Sequence, residues 1–209
     1  MRSAEPRRTE WVDGFLFVGN HLALDFLNTK PILDGEAREL LVNAAALERW
    51  LIAAEILVSA KDKAVMRVWR DSRPGELLVE ELIAFRERLR AAVFRIEAEQ
   101  LPGRAFLDEV TLLLQKYPQR VGLGKQGSSV VLKVVFEPRK PADVWAPIAA
   151  ATAELLSESE RSRIRKCESQ ECVVHFYDTS KKGSRRWCSM NICGNKMKVA
   201  AYQRRRRLA

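Results

Sequence analysis

The sequence predicts a mainly α-helical protein with a small β-hairpin, in two unequal parts: a helical N-terminal domain and a small C-terminal module made of a β-hairpin and a helix. Three observations point there. Apolar residues recur at helical spacing over most of residues 43–156, the repeat switches to that of a strand only between residues 120 and 136, and all four cysteines fall within residues 167–193. At 209 residues the chain exceeds the roughly 100–150 residues of a common domain, so one main domain and an appendage are expected.

In chain order, residues 1–10 read as a flexible leader, 11–159 as the helical domain and 160–209 as the appended module. Phe15–Val18 is an apolar run suited to a strand, and Asn20 is placed to cap a short helix, His21–Leu27, with Leu22 and Phe26 on one face. From Asn43 onward, Leu47, Trp50, Leu51, Ala54, Leu57 and Val58 fall at i, i+3, i+4, i+7, i+10 and i+11, which marks the core face of a helix. Ser59 caps a helix through Trp69, and the Ser-Arg-Pro-Gly stretch at 72–75 breaks it. A long helix follows from about Glu76 to Glu99, with Leu78, Leu82, Phe85, Leu89, Ala92 and Ile96 as its buried stripe, ended by Pro102 and Gly103. Ala105–Tyr117 presents Phe106, Val110, Leu113 and Tyr117 at the same spacing.

At Arg120 the period changes. Val121-Gly-Leu, a glycine-rich turn and the β-branched run Val130–Phe136 read as a hairpin closed by Pro138 and Pro141. A helix from about Ala142 to Leu156 carries Val144, Ile148, Ala151 and Leu155, and the Ser/Glu-rich segment 157–160 reads as a hinge into the module.

Apolar residues form 47% and charged residues 30% of the chain, which suits a soluble globular protein and excludes a disordered one. No apolar run approaches the roughly 20 residues that span a bilayer, and the charged N-terminus lacks the apolar stretch of a secretory signal, so a cytoplasmic protein is expected. The net charge of +9 hides a strong asymmetry. Residues 161–209 hold 14 Lys and Arg against Glu168, Glu171 and Asp178, a net +11, while residues 1–160 come to −2. The electrostatic signal therefore belongs to the C-terminal module.

The cysteines are spaced Cys167-x4-Cys172-x15-Cys188-x4-Cys193. Two close pairs separated by a short span can turn four sulfurs toward one point, and one structural Zn2+ takes such a tetrahedral thiolate set, with Zn–S near ~2.3 Å and no open position. In a reducing compartment this clustering favours metal over disulfides. A module so small has too little core to hold itself, and zinc binding, worth about 10–16 kcal/mol in small modules, decides whether it folds.

Between the pairs, Val173-Val-His-Phe-Tyr suits one strand of a small hairpin, with His175 packing there or facing a phosphate, and Ser180-Lys-Lys-Gly-Ser is prone to turn. Gly194 and Asn195 open a helix through about Arg206 with Met197, Ala200 and Ala201 on a narrow apolar face. Lys181, Lys182, Arg185 and Arg186 occupy the loop into the second pair. Asn195, Lys196, Lys198, Arg204, Arg205, Arg206 and Arg207 occupy or extend the helix. Cations fixed in this way match a phosphate backbone, and neutralising roughly 5–8 phosphates predicts a log–log salt slope of about −4 to −7. Trp187 and Tyr177 could stack on unpaired bases, although a tryptophan beside a metal ligand more often packs.

Gly122-Leu-Gly-Lys-Gln-Gly imitates a dinucleotide fingerprint, but a strand follows it where a helix N-terminus would have to hold pyrophosphate. Asp25 and Asn28 are polar groups in an apolar segment that read as satisfying nearby backbone groups, with the lining of a ligand pocket as the alternative. No Ser/His/Asp or Cys/His arrangement suggests catalysis, so the protein is not expected to be an enzyme.

The run Arg186-Trp-Cys-Ser-Met-Asn-Ile-Cys-Gly-Asn-Lys, with the upstream cysteine pair and Phe176-Tyr-Asp-Thr-Ser, resembles the CGNR zinc finger of bacterial proteins. Leu22-Ala-Leu-Asp-Phe-Leu-Asn-Thr resembles the opening of the helical ABATE domain that precedes this finger. The resemblance implies a stress-linked transcription regulator with a zinc-bound, DNA-binding finger. Cys167, Cys172, Cys188 and Cys193 would be its metal ligands, and the naming motif falls on Cys193, Gly194, Asn195 and Lys196. The chain departs from that motif at Lys196, where the family has Arg; lysine keeps the charge for a phosphate but loses the bidentate fork that reads guanine.

The expected function is thus a nucleoid-associated bacterial regulator with DNA as partner, no membrane contact and homodimerisation through the helical domain. RNA binding by the same surface and a zinc-stabilised protein-interaction adaptor are the alternatives.

Overall fold

The stripe expected along Leu78–Ile96 is the axis of the helical domain in the computed structural model, which describes residues 10–158 and 160–208, with side chains through Arg206. The expected leader thus lies, except for Glu10, outside the described residues.

The chain enters through β1 (Trp11–Val12) and β2 (Phe15–Leu16), an antiparallel pair joined at Asp13 and Gly14, whose φ values of 49° and 80° are those of an Asp-Gly hairpin turn. Helix α1 (Leu22–Leu27) is capped by His21, whose Nδ1 accepts from the Ala23 N–H at 3.2 Å. Asn20, the expected cap, is instead left-handed at φ 53° and turns toward the C-terminal module. A second Asp-Gly ribbon, β3 (Ile32–Leu33) with β4 (Glu36–Ala37), is one that apolar patterning does not reveal.

Asn43 caps α2 (Ala44–Ala53), its side chain accepting from Ala46 N–H at 2.8 Å. The helical pattern expected to run to Val58 stops at Ala53, because the left-handed Glu55 (φ 60°) ends it; Leu57 still reaches the core and Val58 is exposed. Ser59 caps α3 (Ala60–Trp69), and Ser72 caps α4 (Arg73–Glu97). The Ser-Arg-Pro-Gly stretch therefore starts the long helix as well as ending the short one, since proline is tolerated in a first turn. Gly75 is needed there: a Cβ would lie 2.3 Å from the Trp69 carbonyl oxygen.

Helix α5 (Arg104–Lys116), the ribbon of β5 (Arg120–Gln126) and β6 (Ser129–Val135), a 3-10 turn at Pro141–Val144 and α6 (Trp145–Leu156) follow as the patterning indicates. The core gathers Phe26 on Trp50 (5.6 Å between rings) and Phe85 edge-on to Trp145 (5.1 Å). After a 3-10 turn at Arg161–Arg163 come β7 (Ile164–Lys166), β8 (His175–Tyr177), a wide π-type turn at Met190–Gly194 and α7 (Asn195–Leu208). The expected strand around His175 thus pairs with residues ahead of the first cysteine.

The module is docked on the helical domain. Leu16 and Val18 belong to the same buried cluster as Cys167, Val174, Phe176, Cys188 and Cys193. One edge of β8 pairs with β7, and the other is satisfied by α1 and its flanks. The Asn28 amide donates to the His175 carbonyl at 2.8 Å and accepts the His175 N–H at 3.0 Å; Tyr177 N–H donates to the Gly19 carbonyl at 2.8 Å. Asn28, 2% exposed, thereby stands in for a third strand.

Asn28→Ala would leave both His175 backbone groups buried and unpaired, and is expected to cost about 2–4 kcal/mol in denaturant unfolding of the full chain. A loss below about 0.5 kcal/mol, the range of ordinary surface changes, would refute this role.

Candidate metal centre and nucleic-acid interface

Backbone hydrogen bonds place each sulfur. Cys167 leaves β7 with its N–H on the Val174 carbonyl (2.9 Å), and Cys172 N–H closes the first turn onto Ser169 (3.0 Å). Glu168 N–H donates to the Arg186 carbonyl at 3.0 Å, which ties the first pair to the second. Beyond Cys188, the buried Ser189 organises the wide turn. Its hydroxyl oxygen accepts from Asn191 (2.9 Å) and Ile192 (3.2 Å), its carbonyl accepts from Cys193 (3.2 Å) and Gly194 (2.9 Å), and its hydroxyl donates to Glu10. Gly194 fits because a Cβ would sit 2.7 Å from Met190 Sδ and 3.2 Å from Trp187 Cδ1.

The four sulfurs lie within 4.8 Å of one another; Cys172 and Cys188 are 3.9 Å apart, Cys188 and Cys193 3.6 Å. A tetrahedron with Zn–S near ~2.3 Å has S–S edges near ~3.8 Å, whereas a disulfide needs about 2.05 Å. The spacing therefore fits one structural zinc ion and no disulfide. Cys167, Cys172, Cys188 and Cys193 would hold it.

The thiol electrostatics agree. Hydrogen bonds from Cys172 and Cys188 hold Cys167 at about 2, while donating to Cys167 pushes Cys172 up to about 12 and raises Cys188 as well. Four thiols in mutual contact cannot all ionise alone; a divalent cation among them removes that conflict and leaves all four deprotonated. With four protein ligands, zinc acts here as a cross-link.

His175 stands apart from this set. It is fully buried on β8, its Nε2 3.2 Å from Glu97 Oε1 and its ring 5.6 Å from Phe94, so it packs between module and α4. Trp187 packs against the cysteine cluster with the Arg186 guanidinium 4.9 Å above its ring.

The basic residues divide into two groups. Arg185 lies 4.2 Å over Phe176 and donates to the carbonyls of Val18 (3.3 Å), Trp187 (2.9 Å) and Cys188, so its donors serve the module's interior. Arg186 pairs with Glu168 at 2.6 Å and Lys196 with Glu171 at 2.5 Å. The Lys196 pair is exposed on both sides and is therefore weak, so a phosphate can replace the carboxylate. In contrast, Lys181, Lys182, Lys198, Arg204, Arg205 and Arg206 are exposed and form no ion pair among the described residues. Asn195 is exposed in the first turn of α7; the side chain of Arg207 lies outside the described residues.

Two supporting residues, Arg163 and Arg165, carry no sequence motif. Arg163 donates to the carbonyls of Asp178 (2.9 Å) and Ser180 (3.0 Å), and Arg165 to that of Gly183 (3.0 Å). The buried Asp178 accepts from Ser180 N–H (2.9 Å) and Arg185 N–H (2.7 Å). Burial works to raise its carboxyl, but these bonds outweigh it and hold Asp178 below the ordinary aspartate range. The loop bearing Lys181 and Lys182 is thus shaped from within.

Elsewhere, the glycine-rich run at 122–127 lies in the β5–β6 ribbon with no helix after it, and Asp25 accepts the Gly19 N–H at 2.8 Å. No helix among the described residues is long and apolar enough to cross a membrane.

Fold and site together define a zinc-finger protein, in which a helical domain carries a four-cysteine module. The chain belongs to the ABATE family, described as "Putative stress-induced transcription regulator", whose model matches residues 20–159, and it ends in a CGNR zinc finger matched over residues 163–206. These are regulatory and zinc-finger families, not enzyme families. No curated protein matches the chain.

Proposed function

We propose that this protein is a bacterial transcription regulator of the cytoplasm that associates with the nucleoid, its finger docking on duplex DNA. The observation that supports this best is the set of six exposed cations without an ion pair among the described residues, Lys181, Lys182, Lys198, Arg204, Arg205 and Arg206, on a module of net +11. Zinc and the Asp178 hydrogen bonds fix the loop at one end. Helix α7 meets the rest of the chain chiefly through Met190–Gly194, which leaves its basic length open to a polyanion. In this reading residues 11–159, with charge contributing little, supply sensing or dimerisation, and residues 160–209 bind.

Six released counterions correspond to a log–log salt slope of about −5 for duplex DNA. Titration of the full chain at several salt concentrations should return that value, and Lys198→Ala or Arg205→Ala should each reduce it by about 1. A slope near zero would defeat the proposal. Competition with single strands and structured RNA separates the RNA reading, since tighter binding to RNA would displace duplex DNA as the partner. Association with an acidic protein that survives nuclease treatment would favour an adaptor.

A further inference from the structure

The ribbon β5–β6 has two unlike faces. Register pairs Val121 with Val134, Leu123 with Leu132 and Lys125 with Val130, so these six side chains share one face. The five aliphatic ones are between 60% and 79% exposed. The other face carries Arg120, Gly122, Gly124, Gln126, Ser129 and Lys133, the last lying across Gly124, with two valines, Val131 and Val135, that are less exposed than any of the five. Alternation of this kind marks a ribbon with one face built for burial, yet no described residue covers it. A bare two-stranded ribbon is marginal in water, and a contiguous apolar patch of this size marks an interaction site.

We propose that this face is the contact of a homodimer, two ribbons packing face to face about a twofold axis. The composition of residues 1–9 does not match an aliphatic face, since Met1 is their only large apolar side chain beside Arg2, Glu5, Arg7 and Arg8. A nucleic acid is equally unsuited, because five aliphatic side chains present no donor to a phosphate. A second copy fits: the face is aliphatic except at Lys125, and crossing the ribbons in opposite directions sets the two Lys125 ammonium groups at opposite ends. The five side chains offer on the order of 500 Å² per copy, so two copies bury on the order of 1,000 Å², the threshold for a specific interface. The dimer requires no nucleic acid and stands whether or not the finger binds DNA.

The test is sedimentation velocity of the zinc-loaded full chain without nucleic acid, with Leu123→Thr/Leu132→Thr as the variant. A cross-strand threonine pair keeps the ribbon while removing its apolar face. The expected result is a concentration-dependent species of twice the 23.8 kDa chain mass, with association weakened about a hundredfold or more in the variant at unchanged zinc content. Hydrogen exchange should show residues 120–135 protected in the wild type only as the dimer forms. A wild type that stays monomeric, a dimer that the variant leaves intact, or a monomer that floats with phosphatidylcholine vesicles would each overturn the proposal.

Discussion

Stripping zinc from the reduced protein, or replacing Cys188 by Ser, is expected to melt residues 164–208 and to loosen the segment Leu16–Asn28 with them. Four cysteine sulfurs lie at the centre of the module's buried cluster among the described residues, and that cluster borrows Leu16 and Val18 from the helical domain. Small zinc modules draw about 10–16 kcal/mol of apparent stabilisation from the ion, so nothing else in this cluster can replace it. Loss of the module would free the β8 backbone from Asn28 and Gly19, which explains why the disturbance should cross the seam. The Phe85–Trp145 core, on α4 and α6, should hold. Hydrogen exchange with and without chelator reads this directly: protection should vanish over the module and α1 while persisting along α4. Retained protection after chelation, or elemental analysis finding no stoichiometric zinc in reduced protein, would remove the metal from the account.

Replacing Arg86 by Met should cost about 3 kcal/mol or more in unfolding free energy, because it leaves carboxylates without their buried partner. The Arg86 side chain is fully buried, donating to both Glu39 oxygens (2.8 and 2.5 Å), to Glu87 (3.0 and 3.1 Å) and to Thr29 Oγ1 (2.8 Å). The Glu39 side chain is 27% exposed, which lets water relieve part of the penalty and places the loss toward the lower end for buried pairs. Burial works to raise the Glu39 and Glu87 carboxyls, but hydrogen bonds and charge from Arg86 outweigh it and hold both below the ordinary range. Their folded values therefore lie below their unfolded ones. The stability they contribute is present above the ordinary glutamate value near ~4.3 and is lost as pH falls through the depressed folded values. Denaturant midpoints taken into the acid range should fall less steeply for Arg86→Met than for the wild type. Equal slopes would show that the network contributes nothing to acid sensitivity. The double change Arg86→Met/Glu39→Met should recover most of the loss.

The sequence by itself determined the helical class, the cap at Ser59, the long stripe through Leu78 and Ile96, the β5–β6 ribbon and the four-cysteine set. Each is written in spacings of a few residues, or of a few tens for the cysteines, and burial on one face or ligation of one ion makes such spacing legible. Tertiary structure alone decided which polar groups hold the module. Asn28 reads as serving nearby backbone, yet it meets His175 at a separation of 147 residues, and no local pattern encodes that meeting. It also sorted the cations, turning Arg185 inward and pairing Arg186 and Lys196 while giving Lys181, Lys182, Lys198, Arg204, Arg205 and Arg206 no ion pair among the described residues. A positive charge has the same appearance in a sequence whatever it faces; its neighbour is chosen only when distant segments pack.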